Sequence, residues 1–436
     1  MPAESPALAT AHDPYAALRF RDFRLLMAGR FTAQIGEMMV STAVGWELYE
    51  RTGDALALGL VGLVQVIPVI SLSLIGGYAA DRYNRKRIAL ISQLILMALS
   101  LALTLLSLTQ GALPLVYVVL ALIGVARAFN NPAESALTPQ TVPPAYFANA
   151  ATWNSSVWQF AAILGPALGG LIIGVTHSAA AVYFTNVLAG SALVIALLLI
   201  RSPQRDFASR DEPPLVALRN GWRFLRDTRI ILAAITLDMF AVLLGGAVFL
   251  LPVFAKDILH VDATGLGILR AAPSVGALTM ALTLAQRPPF THAGRTLLWA
   301  VAGFGVATIV FGLSQNFWLS LAMLALAGVL DMVSVVVRHT LVMLGTPEAM
   351  RGRVSAVNSM FIGASNELGG FESGVAAALL GPVGAVVFGG IGTILVVIGV
   401  SRWSPELRHL GKLAGAEAVA LATHAQEAAV SPEGAD

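Results

Sequence analysis

The chain has 436 residues, of which 57% are hydrophobic and 12% charged, where soluble domains run at about 45–50% and about 25%. That balance argues against a soluble globular protein, and a mean hydropathy of +0.76 spread over many stretches calls for a polytopic helical membrane protein rather than an alternating outer-membrane barrel. The formal charge of +2 is too small for a nucleic-acid binder, and the absence of cysteine removes disulfides, thiol nucleophiles and cysteine-held metals.

In chain order, residues 1–24 form a polar segment with no basic-then-apolar leader and no small-residue cleavage site, so no cleaved signal is read. Apolar segments follow at 25–49, 55–80, 88–109, 113–137, 149–174 and 179–200. Residues 201–229 make the one long internal loop, with a Pro-Pro pair at 213–214 and an amphipathic surface helix from Leu215 to Arg229. Six more apolar segments occupy 230–255, 264–286, 296–314, 317–343, 354–380 and 382–401, and an Ala-rich tail, 404–436, follows. The expectation is an all-α membrane protein with twelve transmembrane helices in two six-helix halves, 25–200 and 230–403, because about 20 apolar residues cross a bilayer. Twelve spans put both termini on one side. Of the 27 basic residues, 21 then fall on that side and only Arg51 and Lys256 on the other, so the positive-inside rule makes both termini cytoplasmic.

The halves repeat one another. An offset of 204 residues aligns Pro143, Ala145, Asn154, Ser155, Leu164, Gly165 and Gly170 with Pro347, Ala349, Asn358, Ser359, Leu368, Gly369 and Gly374. An offset of 205 aligns Gly62 and Pro68 with Gly267 and Pro273. Parallel repeats of this kind flank a central site that one half closes by rocking against the other, which makes transport the expected activity.

A charge at the bilayer centre costs about 2.5–3.5 kcal/mol on insertion scales, so each one needs a reason. Glu37, Arg127, Asp238, Asp331 and Glu367 lie inside the first, fourth, seventh, tenth and eleventh spans and are the candidates for a transport cavity and proton coupling. Arg30, Arg270 and Arg338 are candidate contacts for a substrate. The third, sixth, ninth and twelfth spans carry no interior charge. The 204-residue offset relates Arg127 to Asp331, so a pairing of these two across the cavity is one arrangement to test. Glu37 and Glu367, which have no basic residue in register, are the first choices as proton carriers. Of the aromatics, Trp153, Trp158 and Phe249 could stack on a bulky ligand, whereas Trp46 and Tyr49 are placed in an interfacial belt. Gln65, Asn154 and Gln159 read as interhelical hydrogen-bonding groups.

Two local motifs have a mechanical meaning. After the second span the chain reads Gly77-Tyr-Ala-Ala-Asp81-Arg82-Tyr-Asn84-Arg85-Lys86-Arg87, in which Gly77 permits a close helix contact and Asp81 can accept from the amide end of a neighbouring helix. In the fifth span, Gly165-Pro166-Ala-Leu-Gly169-Gly170 combines a proline kink with a glycine face on which another helix can lie close.

The first motif resembles the G-x-x-x-D-R-x-G-R-[KR] signature of the major facilitator superfamily, with Asn84 in the place of a glycine that would be left-handed. The second resembles the G-P-x-x-G-G element of that superfamily's antiporter branches, which implies a helix-rocking interface at Gly165, Pro166, Gly169 and Gly170. Phe20-Arg-Asp-Phe-Arg24 and Thr346-Pro-Glu-Ala-Met-Arg-Gly-Arg-Val-Ser355 are similar to the branch containing enterobactin exporters and macrolide efflux proteins. The resemblance implies the superfamily's fold, with the first, fourth, seventh and tenth spans around a cavity. It also implies a cytoplasmic gate made of Gly77, Asp81, Arg82, Arg85 and Lys86 with Gly352 and Arg353, and a pairing of Glu134 with Arg85. The implied function is proton-driven export of hydrophobic or amphipathic small molecules across the bacterial inner (plasma) membrane. A dedicated exporter of one metabolite, such as a siderophore, and a non-transporting sensor are the alternatives. The expected partners are a small-molecule substrate, protons and membrane lipid, with the protein monomeric. Nucleotide-binding and hydrolase motifs are absent from the sequence, so no enzyme activity, cofactor or metal is expected.

Overall fold

A computed structural model describes residues 13–201, 214–288 and 290–412. Parts of the N-terminal segment, the internal loop and the tail read from the sequence, at 1–12, 202–213 and 413–436, lie outside the described residues. The described chain is helical. It contains α1 Arg21–Thr52, α2 Ala55–Arg82, α3 Arg85–Leu108, α4 Leu113–Leu137, α5 Phe147–Thr176, α6 Ala179–Leu199, α7 Pro214–Asp227 and α8 Arg229–Leu244. These are followed by α9 Leu251–Val253, α10 Ala263–Ala285, α11 Ala293–Leu313, α12 Phe317–Leu344, α13 Glu348–Trp403 and α14 Pro405–His409. Ten helical stretches among the described residues are long and apolar enough to cross a membrane. Helices satisfy their own backbone groups, which hydrocarbon cannot do.

The junctions follow local chemistry. Gly53 ends α1 at φ 63°, a left-handed conformation that favours glycine, and Asp54 caps α2 by accepting from Leu56 N. Asn84 corrects the sequence expectation. It is extended rather than left-handed, and its side chain accepts from Arg87 N, so it caps α3. The single span expected at 230–255 is discontinuous: α8 stops at Gly245-Gly246, a 3₁₀ turn covers Ala247–Leu250, and α9 runs into a π turn, Phe254–Ile258. Two adjacent glycines weaken the helix there and Pro252 supplies no N–H. Helix α13 breaks at Gly381, where φ is 75° and Pro382 follows. Gly369 and Gly389, on either side of the break, both abut backbone carbonyls at the end of α8, so the chain reverses at Gly381.

Helices α1–α6 form one group, in which α1 packs on α5 and α6, and α4 on α2 and α3. A second group contains α8 and α10–α13. Leu94, Leu101, Leu105 and Leu108 of α3, Leu188 and Ile195 of α6, Trp299 and Val306 of α11, and Ile391 and Leu395 of α13 are exposed. Those apolar faces suit lipid.

Two crossings join the groups. Helix α2 meets α13 at Gly59 and Gly374, and α5 meets α10 at Gly170 and Gly267. Gly374 is the repeat partner of Gly170, so one residue of each crossing is equivalent in the two halves. Both lie toward the distal end, the end carrying Gly53 and Gly381. The proximal end carries Arg21 and Trp403. Gly165 and Gly169 have a different role from Gly170: they seat α5 on Ile35, Met38 and Met39 of α1, within the first group.

A Cβ at Gly267 would lie 2.5 Å from the Pro166 carbonyl oxygen and 3.0 Å from Gly170 Cα. Gly267→Val is therefore expected to cost about 1–3 kcal/mol in this arrangement and to shift the closed-to-open ratio at the distal end by about fivefold or more. Spin labels on introduced cysteines at Val175 and Ile268, in a chain with none of its own, should report a new longer-distance population. An unchanged distance distribution would refute a role for this crossing in closure.

Candidate functional site

The site forms where α4, carrying Arg127, faces α1 and α13. Arg127 donates from Nη1 to Gln65 Oε1 of α2 at 3.1 Å and lies 3.7 Å from the Glu37 carboxylate of α1, while its Nε has no hydrogen-bond partner. A cavity of about 440 Å³ between α1, α4 and α5 includes Arg127, Glu37, Asn131 and Glu367 in its wall. A second, of about 470 Å³ between α2, α4 and α13, is walled by Arg127, Asn131, Glu367, Val66, Ile70 and Met360. A deeper chamber of about 140 Å³ adds Arg270, Phe249 and Pro252 to Arg127 and Glu367. Arg127 and Glu367 stand where all three spaces meet. Both are candidates from the sequence, together with Glu37, for which register offers no basic partner and which Arg127 here supplies with one.

Arg30 stands in the wall of the cavity of about 440 Å³ and also acts as a brace. It donates to Glu134 at 2.8 Å, Thr138 at 3.1 Å and Asn154 at 2.5 Å, tying α1 to α4, α5 and the turn after α4. The expected Glu134–Arg85 pair is not made. Arg85, the first residue of α3, turns back to donate to the Ala80 carbonyl and lies 3.9 Å from Asp81, while Arg30 reaches Glu134 directly. The expected Arg127–Asp331 pair is also absent, because Arg127 is held by Glu37 and Gln65. Asp331 instead shares the interior of the second group with Asp238 and Arg338, which form a buried ion pair.

The distal end is closed by polar ties as well as by the glycine crossings. Arg270 of α10 donates to the Ser41 carbonyl at 3.0 Å and the Ser41 hydroxyl at 2.7 Å on α1. At mid-helix, Gln159 of α5 donates to the Ser274 carbonyl of α10 at 2.8 Å and joins the groups there. Tyr49 is 6% exposed, so it is not a belt residue, and its hydroxyl donates to Asp257. Asp257, along with Glu47 and its partner Tyr183, escaped the sequence reading, although a charge near a span end was the available signal.

At the proximal end the two groups stand apart. Asp81 is 66% exposed along its side chain, Gly77 has open space around it, and Arg82 hydrogen-bonds Tyr78. Lys86 donates to the Ile200 carbonyl at 2.8 Å. The anticipated contact of Asp81 with Gly352 and Arg353 at the start of α13 is therefore open in this conformation. Arg353's carbonyl instead abuts Gly221 of α7, whose Trp222 packs on Phe361. Among the aromatics, Trp158 and Phe249 line the cavities, whereas Trp153 is committed to the Pro14 carbonyl.

Residues 12–425 match the family model described as transmembrane secretion effector. The chain belongs to that family of the major facilitator superfamily. It is 27% identical over 398 residues to the enterobactin exporter EntS of Citrobacter koseri (strain ATCC BAA-895 / CDC 4225-83 / SGSC4696), covering 88% of this chain and 92% of that one. It is also 27% identical over 402 residues to the multidrug efflux pump Tap of Mycolicibacterium fortuitum, covering 88% and 96%. In fold it is similar to the nucleoside transporter NupG (TM-score 0.71, 12% identity, 88% of this chain and 99% of that one). A bacterial homologue of the iron transporter ferroportin in an inward-facing state gives a TM-score of 0.65 at 16% identity, over 88% and 98%. The protein is a membrane transporter of that family and not an enzyme.

The side chains of Asp238 and Arg338 are 7% and 8% exposed. Asp238→Leu alone should cost about 3–5 kcal/mol by stranding the guanidinium, and Asp238→Leu with Arg338→Met should recover most of it. Thermal unfolding in detergent would measure both. Equal loss in the single and double variants would contradict the pairing as the source of stability.

Proposed function

We propose that the chain is a monomeric bacterial inner-membrane exporter that exchanges protons for hydrophobic or amphipathic small molecules by alternating access. The observation that carries this reading is the Glu37–Arg127 pair with Glu367 at the meeting point of the three spaces. A carboxylate paired with a guanidinium cannot keep that partner once it is protonated, so a proton on Glu37 or Glu367 loosens Arg127 and alters what the cavity will hold. The proton also removes a negative charge from the cavity and so displaces a cationic substrate, and its release restores the pair and readies the site for the next molecule. Apolar walls at Val66, Ile70 and Met360 beside this charge suit a molecule with both characters.

Twelve crossings are supported by the ten apolar stretches, by α1, which carries Arg30, Glu37 and Glu47 but is 32 residues long, and by the reversal of α13. With both termini cytoplasmic, the open proximal end faces the cytoplasm and the closed distal end faces outward. Loading from the cell interior then precedes export. The membrane potential adds about 2.3 kcal/mol per charge per 100 mV. Closing the proximal end would bring the Asp81 region and the start of α13 together as the gate.

The unpartnered Nε of Arg127 and the nearby Arg270 favour one narrower reading, export of a single anionic metabolite of the siderophore kind. Both versions are tested in energised proteoliposomes holding a pH dye and challenged with amphipathic cations, macrolides and siderophores. Substrate-dependent proton movement is expected in the wild type and should fall by about tenfold or more in Glu37→Gln and Glu367→Gln. Transport lost in Arg127→Gln but retained in both carboxylate variants would select the anion exporter. No proton movement with any compound from folded protein would defeat the antiport reading.

A further inference from the structure

Behind α1, on the side away from the large cavities, a separate pocket of about 20 Å³ lies between α1, α3, α4 and α6. Glu37 and Arg127 form its inner wall, so this pair separates the pocket from the main cavity. The other polar walls are Gln93 and Ser100 of α3 and Asn186 of α6. Gln93 is 5% exposed and its Oε1 has no hydrogen-bond partner. Asn186 Nδ2 donates to Ser100 Oγ at 2.8 Å, which leaves the Asn186 carbonyl oxygen and the Ser100 hydroxyl hydrogen able to take another partner. A polar cavity needs about 10–15 Å³ and two to four polar partners to hold a water molecule, and a buried amide oxygen left unpaired costs about 1–3 kcal/mol. The pocket meets both requirements, and Gln93 turns its unpaired oxygen away from lipid, in the interior between α3 and α6.

We propose that this side pocket binds a water molecule held by Gln93 Oε1 and the Glu37 carboxylate, and that Glu37 exchanges its proton with this water from behind α1 rather than through the substrate cavity. The exchange half of this inference rests on the antiport reading above. In the step itself the protonated carboxyl gives its proton to a water lone pair, the O–H electron pair stays on the carboxylate, and the hydronium passes a proton to the next oxygen. The polar face continues along α6. Tyr183, one helical turn from Asn186, donates its hydroxyl to Glu47 at 2.8 Å, and Glu47 is 3.4 Å from Arg51 near the distal end. The charged groups around Glu37 are Arg30 on its own helix, Glu134 on α4 and Glu367 on α13, on the cavity side, and Arg127 on α4, in the wall shared by cavity and pocket, while α3 and α6 present only Gln93, Ser100 and Asn186. A proton path through the first group would let the carboxylate titrate while the substrate path is shut at the distal end.

Radiolytic hydroxyl-radical footprinting reads bound water directly through the side chains next to it. Leu96 and Met97 line the pocket, and Leu103 on the same helix is 1% exposed and does not. Labelling of Leu96 well above Leu103 is expected in the wild type, with Leu96 and Met97 labelling both falling by about tenfold in Gln93→Leu, which removes the oxygen that fixes the water. In proteoliposomes the same variant should slow substrate-dependent proton movement by about tenfold or more. Wild-type Leu96 labelled no faster than Leu103 overturns the proposal even if the variant does not fold. Labelling as expected with no proton movement in the wild type supports the water site and defeats the antiport reading alone. Labelling as expected with proton movement unchanged in a folded Gln93→Leu protein overturns the exchange step.

Discussion

A guanidinium in the middle of a membrane helix has to be answered by an acceptor, because hydrocarbon offers it nothing. Three arginines set the internal wiring of this chain in that way. Arg30 satisfies itself on Glu134, Thr138 and Asn154 and so fixes α1 to α4 and α5. Arg338 is consumed by Asp238 inside the second group. Arg127 is only partly answered, by Gln65 and by Glu37 at 3.7 Å, and it faces open space. The two fully paired arginines stiffen their own helix groups, and the incompletely paired one is left at the place where charge can change.

Rigid groups are useful only if they can move against each other, and the contacts between them are of a different kind. Gly59 with Gly374 and Gly170 with Gly267 let backbones meet without interlocking side chains. The polar ties beside them, Arg270 to Ser41 and Tyr49 to Asp257, link the groups through side chains that a small displacement would separate. Because these contacts gather at the distal end, the cavities face the proximal end. The repeat explains why there are two such crossings, since duplicated helices meet their opposite numbers in equivalent ways.

Much of this was legible in the residues themselves. Long apolar stretches, the lopsided arginines and the 204-residue repeat fixed helix type, approximate ends and the duplicated plan, because bilayer thickness and the cost of charge act locally on sequence. The same rule picked out Glu37, Arg127, Asp238, Asp331 and Glu367, since an ionisable group within an apolar run stands out by itself. What it could not assign was partners. Register matches Arg127 to Asp331 and the family resemblance matches Glu134 to Arg85, whereas helix crossing gives them Glu37 and Arg30. Register along a chain does not say which faces of two helices meet.

The sequence by itself therefore determined that this is a helical membrane protein built from a repeated unit, with charges reserved for its interior, because hydrophobic length and charge burial are properties of single segments. Only the tertiary structure decided which charges pair, which end is shut, that α8 breaks before α9, and that Gln93 faces a polar pocket with its oxygen unpaired. Those facts depend on side chains from helices tens to hundreds of residues apart arriving at the same few ångströms, and no local pattern records that meeting.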